Sequence, residues 1–107
     1  MNDAEFGDVV DEIVEQLEDE LDELDADVDI DTSNGILTVG CPNGTTIILS
    51  RQVANHEVWI AAKSGGYHLA QVDNDWLCRT TGENLSALVS RVFSEQLDEP
   101  LSLLGAA

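Results

Sequence analysis

Residues 25–50, DADVDIDTSNGILTVGCPNGTTIILS, decide the fold. From Asp25 to Asp31 the chain alternates strictly, which puts Val28 and Ile30 on one face of a strand and carboxylates on the other. Asn34-Gly35 is a strong hairpin signal leading into Ile36 to Cys41, and Asn43-Gly44 is a second, leading into Thr45 to Ser50. Three antiparallel strands result.

Downstream, His56 to Lys63, Tyr67 to Val72 and Asp75 to Thr80 are further β-rich runs, separated by Gly65-Gly66 and by Asp73-Asn74. From Asn84 to Leu97 the apolar residues Leu85, Leu88, Val89, Val92, Phe93 and Leu97 share one helical face, and Pro100 limits the extension of that helix. Upstream, from Asp3 to about Leu24, Phe6, Val9, Val10, Ile13, Val14, Leu17, Leu21 and Leu24 form the stripe of a long amphipathic helix. The order helix, meander, helix predicts an α+β fold. It is a two-layer sandwich in which both helices cover one face of a five- to six-stranded antiparallel sheet and leave the other in water. Strand alternation points Val58 and Ile60 inward and Glu57, Trp59 and Ala61 outward. An outward Trp on an open sheet suits a protein contact, because aromatic anchors dominate interface energetics.

Of the first 31 residues 15 are Asp or Glu and none is Lys or Arg; the remainder carries seven carboxylates against Arg51, Lys63, Arg79 and Arg91. A formal charge of −18 argues against nucleic acid and against an anionic membrane, and favours cations or basic protein surfaces. At 107 residues the chain is expected to form one domain, 1–107. Cys41 and Cys78 lie far apart in apolar stretches, which reads as two buried thiols and not as a zinc site or disulfide framework. The acidic N-terminus has neither a basic region nor a long apolar run, so a cytoplasmic location is expected.

Glu15, Glu18, Asp19 and Asp22 fall at i, i+3, i+4 and i+7 on one helical face, and Asp25 to Asp31 extend the same field. Two carboxylates about 6 Å apart repel by roughly 0.7 kcal/mol even at the dielectric of water, and a hard multivalent cation relieves several such terms at once. Asp22, Glu23 and Asp25 also crowd the negative end of the helix dipole, where they oppose stability. Oxygen-only ligands suit calcium, magnesium, manganese and iron; an open surface gives affinities on the order of micromolar or weaker. The spacing is not that of an EF-hand, since Ile30 stands where the loop needs Gly and Ile36 where it needs a bidentate Glu.

Met1-Asn2-Asp3-Ala4-Glu5-Phe6, the Asp25–Asp31 run, Arg51-Gln52, Val58-Trp59-Ile60-Ala61, Gly65-Gly66-Tyr67-His68, Trp76 and Gly82-Glu83 together resemble the bacterial frataxin family of the CyaY type, over nearly the whole chain. The resemblance implies the same helix–sheet–helix sandwich. It also implies weak iron binding (Fe2+ or Fe3+, with other hard cations able to substitute) and contact with the cysteine desulfurase and scaffold of iron–sulfur cluster assembly. Carried over by position, the acidic ridge is Glu18, Asp19, Asp22, Glu23, Asp25, Asp27, Asp29 and Asp31, and the partner-binding sheet face is Gln52, Glu57 and Trp59. Family members commonly have Asn at the place of Ser50 and Gln at that of Glu57. Some carry a His where Gly7 stands, so no nitrogen ligand is expected there.

No other chemistry competes. His56 and His68 have no Cys or Ser partner at a telling separation, though either could assist a metal, and the glycine pairs are turn glycines without a phosphate-binding pattern. A ferroxidase would need a closely held di-iron site, which the spacing does not supply. The expectation is a non-enzymatic iron donor or desulfurase regulator. The alternative is an acidic interaction module with incidental metal binding. The charge implies a monomer without metal and leaves iron-driven oligomers open.

Overall fold

A computed structural model describes residues 1–25 and 27–105; Ala26, inside the alternating run, and Ala106-Ala107 lie outside the described residues. The order is α1 (Asp3–Glu23), β1 (Asp29–Ser33), β2 (Ile36–Gly40), β3 (Thr46–Gln52), β4 (Glu57–Ala62), β5 (Gly65–Val72), β6 (Asp75–Cys78) and α2 (Leu85–Leu97). The strands form one antiparallel sheet in sequence order, β1-β2-β3-β4-β5-β6.

Helix α1 starts where Asn2 closes a capping box: Glu5 N–H donates to Asn2 Oδ1 at 2.8 Å and Asn2 N–H to Glu5 Oε1 at 3.1 Å. Its buried stripe is Phe6, Val10, Val14, Leu17 and Leu21, while Val9 and Ile13 pack at the margin of the core. Leu24, the last residue of the expected stripe, is the C-cap and is 47% exposed. Helix α2 is capped by Asn84 and ends at Asp98, whose left-handed φ of 56° stops it before Pro100. Between the helices and the sheet lie Leu37, Val39, Ile47, Leu49, Val58, Ile60 and Leu69, all at most 2% exposed. Each contributes roughly 1.5–3 kcal/mol by leaving water.

The Asn34-Gly35 turn forms as expected, with φ of 54° and 75° joining the Ser33↔Ile36 pair. Gly35 suits its left-handed φ, and a Cβ there would lie 2.7 Å from Arg51 Nε, so the guanidinium would have to move to admit one. Three boundaries depart from the sequence reading. β1 begins at Asp29, not Asp25, because Asp25 (φ 52°) still belongs to the helix end, its N–H bonded to Asp22 O at 3.0 Å. Gly65-Gly66 open β5 instead of separating strands. The turn is Lys63-Ser64, held two residues earlier by Gln96 Oε1, which accepts from Lys63 N–H at 2.8 Å. β6 ends at Cys78, not Thr80, because Gly82 N–H donates to Cys78 O and Cys78 N–H to Glu83 O, bending the chain toward α2.

After α2 the chain returns along it. Ser90 Oγ bonds both N and O of Leu103, Ser94 Oγ does the same for Leu101, and Leu103 is 1% exposed. Both cysteines are free and buried, as the sequence reading expects.

Candidate functional site

Among the described residues, two carboxylates of the acidic run, Asp3 and Asp11, have a basic partner, and both lie toward the start of α1. Around the first turns of α1, His56 Nε2 lies 2.7 Å from Asp3 Oδ1 with its ring stacked on Phe6, and Arg51 reaches Asp11 at 3.4 Å. Gly7 makes that reach feasible, since a Cβ there would come within 3.2 Å of the Arg51 guanidinium. No basic residue occupies the last turn of α1. Among the described residues, Asp19, Asp22, Glu23, Asp25, Asp27, Asp29 and Asp31 are exposed and have no cationic partner. Uncompensated charge therefore gathers at the C-terminal end of α1 and along β1, where the helix dipole is also negative.

Two carboxylates of this region are already committed. Glu18 Oε1 accepts from Thr32 Oγ1 at 3.0 Å, which ties α1 to the edge strand. Glu20 accepts from Gln16 Nε2 at 3.0 Å and from Leu104 N–H at 2.7 Å, so it anchors the C-terminal segment and is not part of the ridge.

Strand β1 turns its two faces to different layers. Ile30 pairs with buried Val39 and Thr32 with buried Leu37, which places both on the helix side, and Asp29 and Asp31 on the open face opposite Gly40 and Thr38. Val28 packs against the core, but Ile30 is 38% exposed because it lies at the sheet edge. The ridge carboxylates thus flank the β1 edge from both sides, with Glu18 bridging. Among the described residues no three His, Cys, Asp or Glu side chains converge into a ready ligand set. A cation here would gather mobile carboxylates and keep much of its water, the behaviour of a weak, hard-oxygen site.

On the open face the three expected residues adjoin. Gln52 pairs with Glu57, and Trp59 lies between Ser50 and His68 in the next strands. The Trp59 indole stacks on the His68 imidazole, centroids 4.2 Å apart and planes 11° from parallel, and donates from Nε1 to Glu57 Oε1 at 3.0 Å. This holds the half-buried indole in place from two sides, so little side-chain entropy would remain to be lost if another molecule covered it. His68 stacks on Trp59 on the open face, and His56 stacks on Phe6 at the start of α1.

Sequence reasoning missed the cluster that fixes α2. Arg91 makes two 2.9 Å bonds to Glu83, one of 3.1 Å to Glu95, and lies 5.3 Å from the centre of the Tyr67 ring. The paired hydrogen bonds from Arg91 hold the Glu83 carboxyl below the usual range, and those same bonds push the guanidinium higher still. Its sequence signal is the lone Arg of α2, four residues before Glu95.

A family model described as Frataxin-like domain matches residues 1–99. An iron–sulfur cluster assembly protein CyaY of Vibrio cholerae is 40% identical over 101 residues, covering 94% of this chain and 97% of that protein. Its namesake from Stutzerimonas stutzeri is 43% identical over 103 residues, covering 94% of both. Among solved structures, the frataxin of Psychromonas ingrahamii superposes with a TM-score of 0.87 at 30% identity, over 95% of this chain and 97% of that one. The trimeric frataxin of the yeast Saccharomyces cerevisiae, complexed with ferrous iron, shares the fold at a TM-score of 0.71 and 23% identity, over 84% of this chain and 86% of that one.

Proposed function

The chain belongs to the frataxin family, and from that premise we propose that it is a non-enzymatic iron-handling protein of iron–sulfur cluster assembly, acting in the bacterial cytoplasm. Iron is its cargo. The observation that carries this reading is the distribution of charge: Arg51 and His56 contact Asp11 and Asp3 near the start of α1, while the carboxylates from Glu18 to Asp31 lack cationic partners among the described residues. Residues Glu18, Asp19, Asp22, Glu23, Asp25, Asp27, Asp29 and Asp31 would hold Fe2+ or Fe3+ loosely through oxygen, and other hard cations would compete. Loose binding suits a carrier that must release.

The same field attracts a basic patch on a cysteine desulfurase and speeds encounter in a salt-dependent way. Trp59, with Gln52 and Glu57 beside it, offers the rigid aromatic anchor for the scaffold protein. Without metal the charge of −18 keeps the chain monomeric, and iron that neutralises it would permit oligomers. The second reading, a regulator whose metal binding is incidental, is favoured by the lack of a converged ligand set among the described residues.

Replacing Asp22, Asp25, Asp27 and Asp29 together by Asn, and titrating Fe2+ and the desulfurase separately, tests the first reading against the second. Loss of both affinities supports an iron carrier docked through its ridge. Unchanged iron affinity with lost desulfurase binding overturns it in favour of the regulator.

A further inference from the structure

The two Asn-Gly dipeptides both close hairpins, yet the fold treats them oppositely. The Asn43 carboxamide is locked: Oδ1 accepts from Thr45 N–H at 3.1 Å and from Thr45 Oγ1 at 2.6 Å, and Nδ2 donates to Gln96 O at 3.0 Å. The following Gly44 N–H is engaged as well, with Cys41 O at 3.0 Å. Asn34 is exposed, and among the described residues its carboxamide has no hydrogen-bond partner. Pairing of Ser33 with Ile36 leaves the Gly35 N–H outside the ladder.

We propose that Asn34 is a site of spontaneous deamidation and that Asn43 is protected by its hydrogen bonds. The Gly35 backbone nitrogen attacks Asn34 Cγ; the new C–N bond forms as the Cγ–Nδ2 bond breaks, and the displaced nitrogen leaves as ammonia with the Gly35 amide proton. Water then opens the resulting succinimide at either carbonyl, giving aspartate or isoaspartate, with no change of oxidation state. Glycine at position 35 leaves that nitrogen sterically open. Arg51 also favours the step, since its guanidinium lies on the side of Gly35 where a side chain would stand (a Cβ there would lie 2.7 Å from Nε) and a nearby cation stabilises the deprotonated amide that attacks. Asp11 shares that guanidinium at 3.4 Å and moderates the effect.

The product bears on the acidic strand. Aspartate adds a carboxylate at the tip of the hairpin that carries Asp29 and Asp31. Isoaspartate lengthens the main chain by a methylene in a turn whose two positive φ angles set the register of β1 on β2.

The full chain, aged at mildly alkaline pH both folded and in urea, is mapped by mass spectrometry for the mass gain of amide hydrolysis and for isoaspartate at each position. In the folded chain residue 34 should convert about tenfold faster than residue 43 or more, the factor that one or two net hydrogen bonds supply. In urea the two rates should become comparable, and N34Q should abolish the fast reaction of the folded chain. Equal rates at the two positions in the folded chain overturn the proposal, as does a folded Asn34 that stays intact while the unfolded chain converts.

Discussion

Replacing Asp22 and Glu23 by their amides should make the metal-free protein more stable. Both residues stand in the last turn of α1, which contains no basic side chain, next to a C-cap whose N–H still points back into the helix at Glu20 O. Asp22 lies one turn from Glu18 and Asp19, and Glu23 one turn from Asp19 and Glu20, and like charges at these spacings cost a few tenths of a kcal/mol each. Each also opposes the helix dipole by about 0.3–1 kcal/mol. After allowing for solvent screening, the double variant D22N/E23Q should gain about 1–2 kcal/mol. In a chain of 107 residues that raises Tm by about 4–8 °C. Thermal unfolding followed by circular dichroism at low ionic strength, then in 1 M NaCl where the Debye length falls to about 3 Å, reads the effect. The gain should largely vanish in high salt. A Tm that falls at low salt, or a gain that high salt leaves intact, would refute the argument that crowded charge strains this end of the helix.

Two further outcomes follow from contacts outside the ridge. Because Arg91 depresses the Glu83 carboxyl, Glu83 contributes stability that is present above the ordinary carboxylate range and lost as pH falls through its lower folded value. Glu83→Gln should therefore cost about 1 kcal/mol at neutral pH, with the gap to the parent closing below about pH 4; a gap that persists at lower pH contradicts the assignment. Gln96 is 5% exposed and bonds Lys63 N–H, Thr45 Oγ1 and Thr46 O. Gln96→Leu should lower stability by about 2–3 kcal/mol in urea unfolding, by orphaning the Lys63 amide; a cost below about 0.5 kcal/mol would contradict that role.

The architecture was legible wherever a local signal carried it. Alternation in residues 25–31, two Asn-Gly turns and two amphipathic stripes gave the strand order, the layer assignment and the outward Trp59. What local pattern could not supply was anything set by a distant partner. Gly65-Gly66 look like a turn, but Gln96, 31 residues beyond Gly65, places the turn two residues earlier. Ile30 has the spacing of a core residue and is exposed because β1 is an edge. Leu101 and Leu103 follow Pro100, beyond the helical stripe, and the Ser90 and Ser94 hydroxyls draw them onto α2. For the ridge, the sequence shows an even acidic run. Only the tertiary contacts of Arg51 with Asp11 and of His56 with Asp3 set its beginning apart, and those two residues arrive from β3 and the turn after it.

That division can be tested directly by locating bound ions. Crystals soaked in cobalt(II), or in ferrous iron without oxygen, and measured at the metal's absorption edge should show ions against Asp19, Asp22, Asp29 or Asp31 and none near Asp3, Asp8 and Asp11. Ions lodged at the start of α1, with the margin between its C-terminal end and β1 empty, would contradict the account.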